Sequence, residues 1–283
     1  NECAIGIPKS NDEVMDIFKK LGKLNFSSQE ERAKYYFLFL GRFLPEIFPW
    51  INTHPADSRV PNHSIYDHIV QSAAIATCIE DSDYPSFLLF TLGPVQDFIA
   101  KAKKTSDLWA GSFILSYLTY AAIEVIIDEI GPDHVIFPNL LKQPFVDRWL
   151  YNKLHNQNID SECFKNWKEN WQKQLQKEQN NDKPFDDILT IANIPNRLLA
   201  IVPYCKAKEL AQNCKNAITK KIDNFVETMP NQYTAIVKEQ LYSYFNIYYV
   251  IMPWKAKNND DNIQNIIDTY KHFIEVEDLV KVV

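Results

Sequence analysis

The clearest element in the hydrophobic pattern is the run FLLFTL at residues 87–92, which contains no polar alternation. Six residues are short for a helix, and continuous apolar character is typical of a strand that is buried on both faces. Apolar runs between turns predict further strands at residues 134–137, 197–202 and 245–252, with a partner strand at residues 187–192. These strands predict a sheet in the middle of the chain.

Apolar residues at helical spacing lie before, between and after these strands. They predict helices at residues 64–79, 95–104, 107–130, 207–228, 232–241 and 263–273, and a helical region over residues 11–79. Gly131 follows the third of these helices and is expected to cap its carboxyl end. The apolar stretch 108–123 is shorter than the roughly 20 residues that span a membrane. We therefore interpret it as a core helix and expect no membrane partner.

The order of the elements defines a fold class. It is β-α-β-β-α-β, the ferredoxin-like split βαβ unit, in which two helices cover one face of an antiparallel sheet. We predict an α+β fold with an all-helical region at residues 1–82 and the sheet domain at residues 83–256. Residues 257–283 form a C-terminal helix or begin another domain, and a helical insertion at about residues 142–187 interrupts the sheet domain.

Three tryptophans mark the insertion, Trp149, Trp167 and Trp171, among many Lys, Gln and Asn residues. Exposed tryptophans could stack on nucleic-acid bases. The spacing of Trp167 and Trp171 is more typical of one packed helix face. We favour packing.

Composition and charge narrow the function classes. The 283 residues carry a net charge of −6 and 46% are hydrophobic, which predicts a folded core and argues against coating nucleic acid by bulk attraction. The five cysteines form no C-x-x-C pair, so neither a disulfide framework nor a zinc knuckle is indicated, and a reducing cytoplasm is expected. The first residue is Asn1 and no signal peptide is visible, so we expect the chain to be a piece of a longer protein.

Three common active-site motifs are absent from the sequence. G-x-G-x-x-G, G-x-x-x-x-G-K-[ST] and G-x-S-x-G do not occur. Their absence excludes dinucleotide-binding Rossmann, P-loop and α/β-hydrolase sites.

The turn after the run 87–92 is the best candidate for a binding site. Gly93 ends the strand without a side chain, and Pro94 fits the first turn of a helix. Free amides there would suit a phosphate. With the lysines and small residues that follow, the candidate nucleotide-binding residues are Gly93, Pro94, Gln96, Lys104, Gly111 and Ser112. The alternative is a solvated lysine face and small residues that let two helices pack closely.

A second candidate is a cluster of titratable side chains, namely His54, Asp57, His63, Asp67 and His68. On one helix His63 and Asp67 would be a turn apart, and together with His68 they could bind a metal ion. The alternative is a helix start at which Asp67 and the histidines make hydrogen bonds. Residues 193–196 carry no acidic pair of the kind that holds two cations in nucleotide-transferring palm domains. We predict no catalytic residue in this chain.

Several ordered motifs resemble one known family. Residues 92–116 read LGPVQDFIAKAKKTSDLWAGSFILS, and residues 55–68 read PADSRVPNHSIYDH. These segments, with VIFPN, NRLLAIVP and YVIMPW further on, resemble motifs of the large subunit of type III-B CRISPR (Cmr) effector complexes. The resemblance runs from about residue 55 to residue 254.

The resemblance implies two facing ferredoxin-like palms of the nucleotidyl cyclase type, with ATP and a divalent metal ion (Mg²⁺ or Mn²⁺) between them. The second palm, which carries a GGDD hairpin, makes cyclic oligoadenylate when target RNA is bound, and an HD domain cleaves single-stranded DNA in many members. Residues 1–82 would then be an HD-domain remnant and residues 83–256 the first palm. The implied partners are other CRISPR effector subunits, guide RNA and target RNA, with single-stranded DNA as a further candidate.

The chain departs from the family pattern in two ways. No GGDD occurs, and the HD order is reversed at Asp67 and His68, so we expect this segment alone to be inactive. Two other interpretations stay open. One is a stand-alone, degenerate palm that binds a nucleotide, and the other is an HD-type metal-dependent phosphohydrolase built on the residue 54–68 cluster.

Overall fold

Four strands pair into one antiparallel sheet in the computed structural model, which describes residues 49–57, 62–79, 83–156, 165, 167–173 and 193–254. The elements in chain order are α1 (Ile65–Ile79), β1 (Pro85–Gly93), α2 (Gln96–Ala100), α3 (Thr105–Glu129), β2 (Val135–Phe137), α4 (Pro144–Leu154), β3 (Arg197–Pro203), α5 (Tyr204–Glu227), α6 (Asn231–Tyr244) and β4 (Asn246–Pro253). Single 3-10 turns lie at Pro49–Asn52 and Pro132–His134.

The strand order in the sheet is β2-β3-β1-β4, and every neighbouring pair is antiparallel. Each of the crossovers β1 to β2 and β3 to β4 passes over one strand of the sheet. The predicted β-α-β-β-α-β order is therefore confirmed within the described residues. The predicted strand at residues 187–192 and the helix at residues 263–273 lie outside them.

One face of the sheet is covered by α3 and α5. Leu88, Phe90 and Leu92 of β1 are fully buried there, against side chains such as Ile123 of α3 and Leu210 of α5. Complete burial of a side chain of this size stabilises the fold by about 1.5–3 kcal/mol. This face holds the main core of the described chain.

Within the residues that the structure describes, α1 covers part of the opposite face. Ala74 and Cys78 of α1 pack against Ile201 of β3, and Phe87 and Trp254 close the contact from the side. The side chains of β1 on this face are half-buried. The prediction that residues 87–92 are buried on both faces is thus wrong for the second face, because α1 reaches only one end of the sheet.

The long apolar helix α3 runs through the core as predicted. By length and composition it could cross a membrane, with a mean hydropathy of 1.6 over its most apolar window. Ten of its 25 residues are buried inside the protein, which is typical of a core helix. Gly131 follows it with a φ of +117°, a conformation that favours glycine, so the predicted cap is confirmed.

The tryptophans of the insertion are packed. Trp149, Trp167 and Trp171 are all buried in the main core. Trp149 donates a hydrogen bond from Nε1 to Asp128 on α3 at 2.8 Å. The packing interpretation is confirmed, and base stacking by these side chains is excluded by their burial. The predicted domain limits remain predictions.

The helix predicted at residues 95–104 is much shorter. Only Gln96–Ala100 is helical. Lys104 has an extended backbone, with φ −131° and ψ 159°, and stands at the N-cap position of α3. The carboxylate of Asp107 accepts hydrogen bonds from the amides of Lys103 and Lys104 at 3.3 and 3.1 Å. This local bonding ends the first helix and starts the second.

Candidate functional site

The end of the sheet beside Gly93 is not covered by α1. We call this surface the open half-sheet, formed by Leu89, Thr91 and Gly93 of β1, Arg197 and Leu199 of β3, and Asn246, Tyr248 and Val250 of β4. Cα partners across antiparallel strands carry their side chains on the same face. The register pairs Thr91 with Arg197 and Tyr248, and Leu89 with Leu199 and Val250.

Exposure rises from the middle of the open half-sheet to its edge. Leu89, Thr91 and Leu199 are half-buried. On the edge strand β4, Tyr248 is 64% exposed and Val250 is 48% exposed. The surface therefore combines an apolar row with an exposed aromatic side chain, as binding surfaces of folded proteins do.

Gly93 borders empty space at the edge of this surface. A Cβ atom placed on Gly93 would meet no atom within 4 Å. The residue pairs with Asn246 as the last position of β1, and its peptide bond to Pro94 is cis. The turn thus leaves open space next to the main chain, while the ligand role of Gly93 stays a prediction.

Pro94 and Gln96 follow this opening directly. The N-cap position of α2 is Val95, which makes no side-chain capping bond, and Gln96 is exposed. Since α2 has only five residues, it carries little of the dipole that attracts phosphate to longer helices. The geometry here supports an accessible turn more than a dipole-driven phosphate site.

The end of β1 is fixed by hydrogen bonds from the segment before β3. Asn196 donates from Nδ2 to the carbonyl of Leu92 at 2.8 Å, and its own carbonyl accepts the Leu92 amide at 2.9 Å. Ser116 of α3 holds the same segment, because its Oγ donates to the Ile194 carbonyl at 2.6 Å and accepts the Ile194 amide at 3.2 Å. These bonds position the strand ends on which the site depends.

The other predicted nucleotide-binding residues lie on α3. Lys104 is exposed at its start, and Ser112 is half-buried. The ring of Phe98 lies 3.5 Å from the position of a Cβ on Gly111, and it also packs against Phe245 with ring centroids 5.1 Å apart. That contact is what the helix-packing alternative predicts, while the ligand role of Gly111 and Ser112 stays a prediction.

The titratable cluster forms a helix start. Ser64 and Asp67 make reciprocal bonds, from the Ser64 amide to Asp67 Oδ2 at 3.2 Å and from the Asp67 amide to Ser64 Oγ at 3.1 Å, which is a capping box. His63 lies before the helix, with its Nε2 3.1 Å from Nδ1 of His68. Within the described ranges, no group of three His, Cys, Asp or Glu side chains is arranged to hold a metal ion.

A groove of about 310 Å³ runs along the outer side of β4, between that strand, α5 and the end of α6. Tyr242 beside it donates a short hydrogen bond to Asp223, and Lys238 pairs with the same carboxylate at 2.7 Å. The hydrogen bond from Lys238 is the largest cause that lowers the pKa of Asp223, followed by the one from Tyr242. These bonds fix α6 against α5.

Sequence reasoning did not place Arg197 and Tyr248 beside the glycine turn. Each lies in a predicted strand, but only the register places both beside Thr91. The available signal was a charged residue and an exposed-face aromatic in otherwise apolar runs. That signal has no meaning before the strand order is known.

Among the described residues, fold and site define an α+β domain whose antiparallel sheet has helices on one face and an open part, beside a glycine turn, on the other. Residues 87–227 match the family described as CRISPR-associated protein Cmr2, N-terminal. The chain is 36% identical over 164 residues to the CRISPR system Cmr subunit Cmr2 of Pyrococcus furiosus. The aligned segment covers 58% of this chain and 15% of that protein. It is 32% identical over 198 residues to the Cmr2 subunit of Saccharolobus solfataricus, covering 68% of the chain and 19% of that protein.

A solved structure shares the fold. It is the cryo-EM structure of the type III-B Cmr-beta bound to cognate target RNA, with a TM-score of 0.60 and 21% identity over 98% of this chain and 31% of the matched chain. The chain belongs to the Cmr2 family, the large subunit of type III-B CRISPR effector complexes. It spans less than one fifth of the length of either curated relative.

Proposed function

We propose that residues 83–256 form the first, non-catalytic palm of a Cmr2 large subunit, with the ferredoxin-like fold of nucleotidyl cyclases. In this proposal the palm supplies half of a cleft for ATP. A second palm with a GGDD hairpin, which these 283 residues do not contain, supplies the metal-binding carboxylates and makes cyclic oligoadenylate. The chain itself then contributes no catalytic residue.

The observation that carries the proposal is the open half-sheet beside Gly93. An apolar sheet face that stays uncovered marks a surface that another domain or ligand covers. The space next to Gly93 lies at the border of this surface, where a nucleotide would contact both halves of a shared cleft.

The charge of the open half-sheet fits a triphosphate better than a metal ion. Its eight residues include one cation, Arg197, and no carboxylate. A phosphate would meet attraction there, while Mg²⁺ or Mn²⁺ needs oxygen ligands that this surface does not offer. Metal ligands must therefore come mainly from the second palm, and the metal would neutralise the phosphates and stabilise their transfer.

The partners follow from the relatives. Both curated relatives are Cmr subunits, and the structural neighbour is a Cmr complex bound to target RNA. We therefore infer that the parent protein assembles with other effector subunits, guide RNA and target RNA in the cytoplasm. Any action on single-stranded DNA would require HD-domain residues that this chain lacks.

The test uses the full-length gene product, assembled with its effector subunits and target RNA. Gly93→Leu fills the space beside the turn, and its backbone conformation allows a side chain. We expect at least a tenfold weaker binding of MgATP and a matching loss of cyclic oligoadenylate, with an unchanged melting temperature. Lys208→Leu, at an exposed position of α5 on the other face of the sheet, is the control and should bind ATP normally.

Two outcomes would reject the proposal. One is a full-length protein without a GGDD palm, and the other is a Gly93→Leu complex that binds ATP as tightly as the unchanged complex. The stand-alone nucleotide-binding module is distinguished by titrating this chain alone with ATP. Saturable, stoichiometric binding without a second palm would favour that module.

A further inference from the structure

Two side chains that flank Thr91 on the open half-sheet have no assigned role. Arg197 begins β3, Tyr248 lies in β4, and both pair with Thr91 across β1. We propose that Arg197 contacts the phosphates, and Tyr248 the base, of a purine nucleoside triphosphate at this surface. The inference rests on the proposed function and assigns specific contacts within that site.

Arg197 is suited to a phosphate by its surroundings. The side chain is exposed, and within the described part of the chain it forms no ion pair. Its neighbours on the same face are Thr91 and Leu199, which bring no negative charge. A guanidinium that is free of a carboxylate partner can bind two phosphate oxygens at once.

Tyr248 is suited to a base by its exposure. With 64% of its surface accessible on a flat sheet face, its ring offers a stacking platform, in the way that sheet aromatics bind bases in other small antiparallel domains. A structural role would bury the ring, and here the ring is the most exposed large apolar side chain of the described residues.

The spacing of the two side chains fits one ligand. Thr91 separates them, so their Cα atoms are two strand spacings apart, about 10 Å. Gly93 lies two residues further along β1, where nothing fills the space above the main chain. One nucleotide can therefore reach the cation, the ring and the opening beside Gly93 together.

The experiment measures binding of adenosine, AMP and ATP to the full-length protein in its effector complex. Arg197→Ala should weaken ATP binding at least tenfold, weaken AMP less and leave adenosine unchanged. Tyr248→Ala should weaken all three by a similar factor, and Tyr248→Phe should restore them. Lys208→Ala is the control for a lost charge. Tyr249→Ala is the control for a truncated tyrosine, because Tyr249 lies on the opposite face of the same strand and is 36% exposed.

The outcomes separate this inference from the proposed function. If Gly93→Leu abolishes ATP binding while Arg197→Ala and Tyr248→Ala leave it unchanged, the cleft is supported and the two contacts are rejected. If the unchanged complex binds no ATP, both fail. If the two variants weaken binding of a short oligoadenylate RNA and not of ATP, the surface binds single-stranded RNA and the inference is overturned.

Discussion

Replacing Ser116 by alanine should strongly destabilise the protein, because one hydroxyl serves two buried main-chain groups. Its Oγ donates to the Ile194 carbonyl and accepts the Ile194 amide, and both residues are buried. Alanine leaves this amide and this carbonyl without a partner. At about 1–3 kcal/mol for each of the two unsatisfied groups, we expect a loss of about 2–6 kcal/mol in the free energy of unfolding.

Thr119 is a matched control on the same helix. It is fully buried like Ser116, but its hydroxyl donates to the Leu115 carbonyl, which the helix already uses. Thr119→Val therefore leaves no main-chain group unsatisfied. We expect a loss below about 1 kcal/mol.

Urea unfolding followed by circular dichroism measures both changes. Hydrogen exchange adds a local measurement, since the segment held by Ser116 also accepts the Leu92 amide through Asn196. Ser116→Ala should speed exchange of the Leu92 amide more than Thr119→Val does. Equal losses of stability in the two variants would refute the reasoning.

Three further changes test other parts of the structure. Gly131→Ala should cost about 1–3 kcal/mol in thermal unfolding, because φ is +117° there; an unchanged melting temperature would contradict this. Asp223→Asn should lower the free energy of unfolding at neutral pH, and the difference from the unchanged protein should shrink as pH falls below about 3.9. The hydrogen bond from Lys238 lowers the folded-state pKa of Asp223, so the stabilisation by this carboxylate is lost when it is protonated. A pH-independent difference would contradict the pairing. Cys205, which is exposed, should react with a thiol reagent at pH 8 before Cys214, whose pKa burial raises to about 12; mass spectrometry of labelled peptides shows the order, and equal labelling would contradict the burial.

The sheet could be predicted from the sequence because its strands carry strong local signals. The run 87–92 lies wholly inside the observed Pro85–Gly93, and the run 197–202 inside Arg197–Pro203. The helix predicted over residues 95–104 failed at its second half. Its apolar spacing suited a helix, but Asp107 binds the Lys103 and Lys104 amides and starts a new helix there.

The candidate site could be predicted only as far as it is local in sequence. The end of β1 at Gly93 could be predicted because a turn after a strand is visible in the sequence. Arg197 and Tyr248 lie about 104 and 155 residues after Gly93 in sequence, and register alone brings them near it. At Asp67 a local spacing was misleading. Its distance of four residues from His63 suggested a metal ligand, but Asp67 forms capping hydrogen bonds with Ser64 at the start of a helix.

The composition of residues 87–92, which predicted burial on both faces, indicates what kind of surface would cover the open half-sheet. A strand with one wet face normally alternates apolar and polar residues, and this one does not. Contact with α1 explains Phe87, which packs against Trp254, but α1 does not cover Leu89, Leu199 or Val250 on the open half-sheet. Whatever covers this surface must be apolar opposite that row.

The next row on the same face has a different chemistry. Thr91, Arg197 and Tyr248 lie one pleat closer to Gly93, and each has a polar group. A covering domain that packed tightly over this row with apolar side chains would bury Arg197 without a partner, at a cost of several kcal/mol. We expect the apolar row to contact a second domain and the polar row to line a cleft between the two domains. A phosphate in that cleft would pair with the guanidinium of Arg197. Loss of ATP binding in Arg197→Ala with unchanged assembly of the complex would support this argument directly.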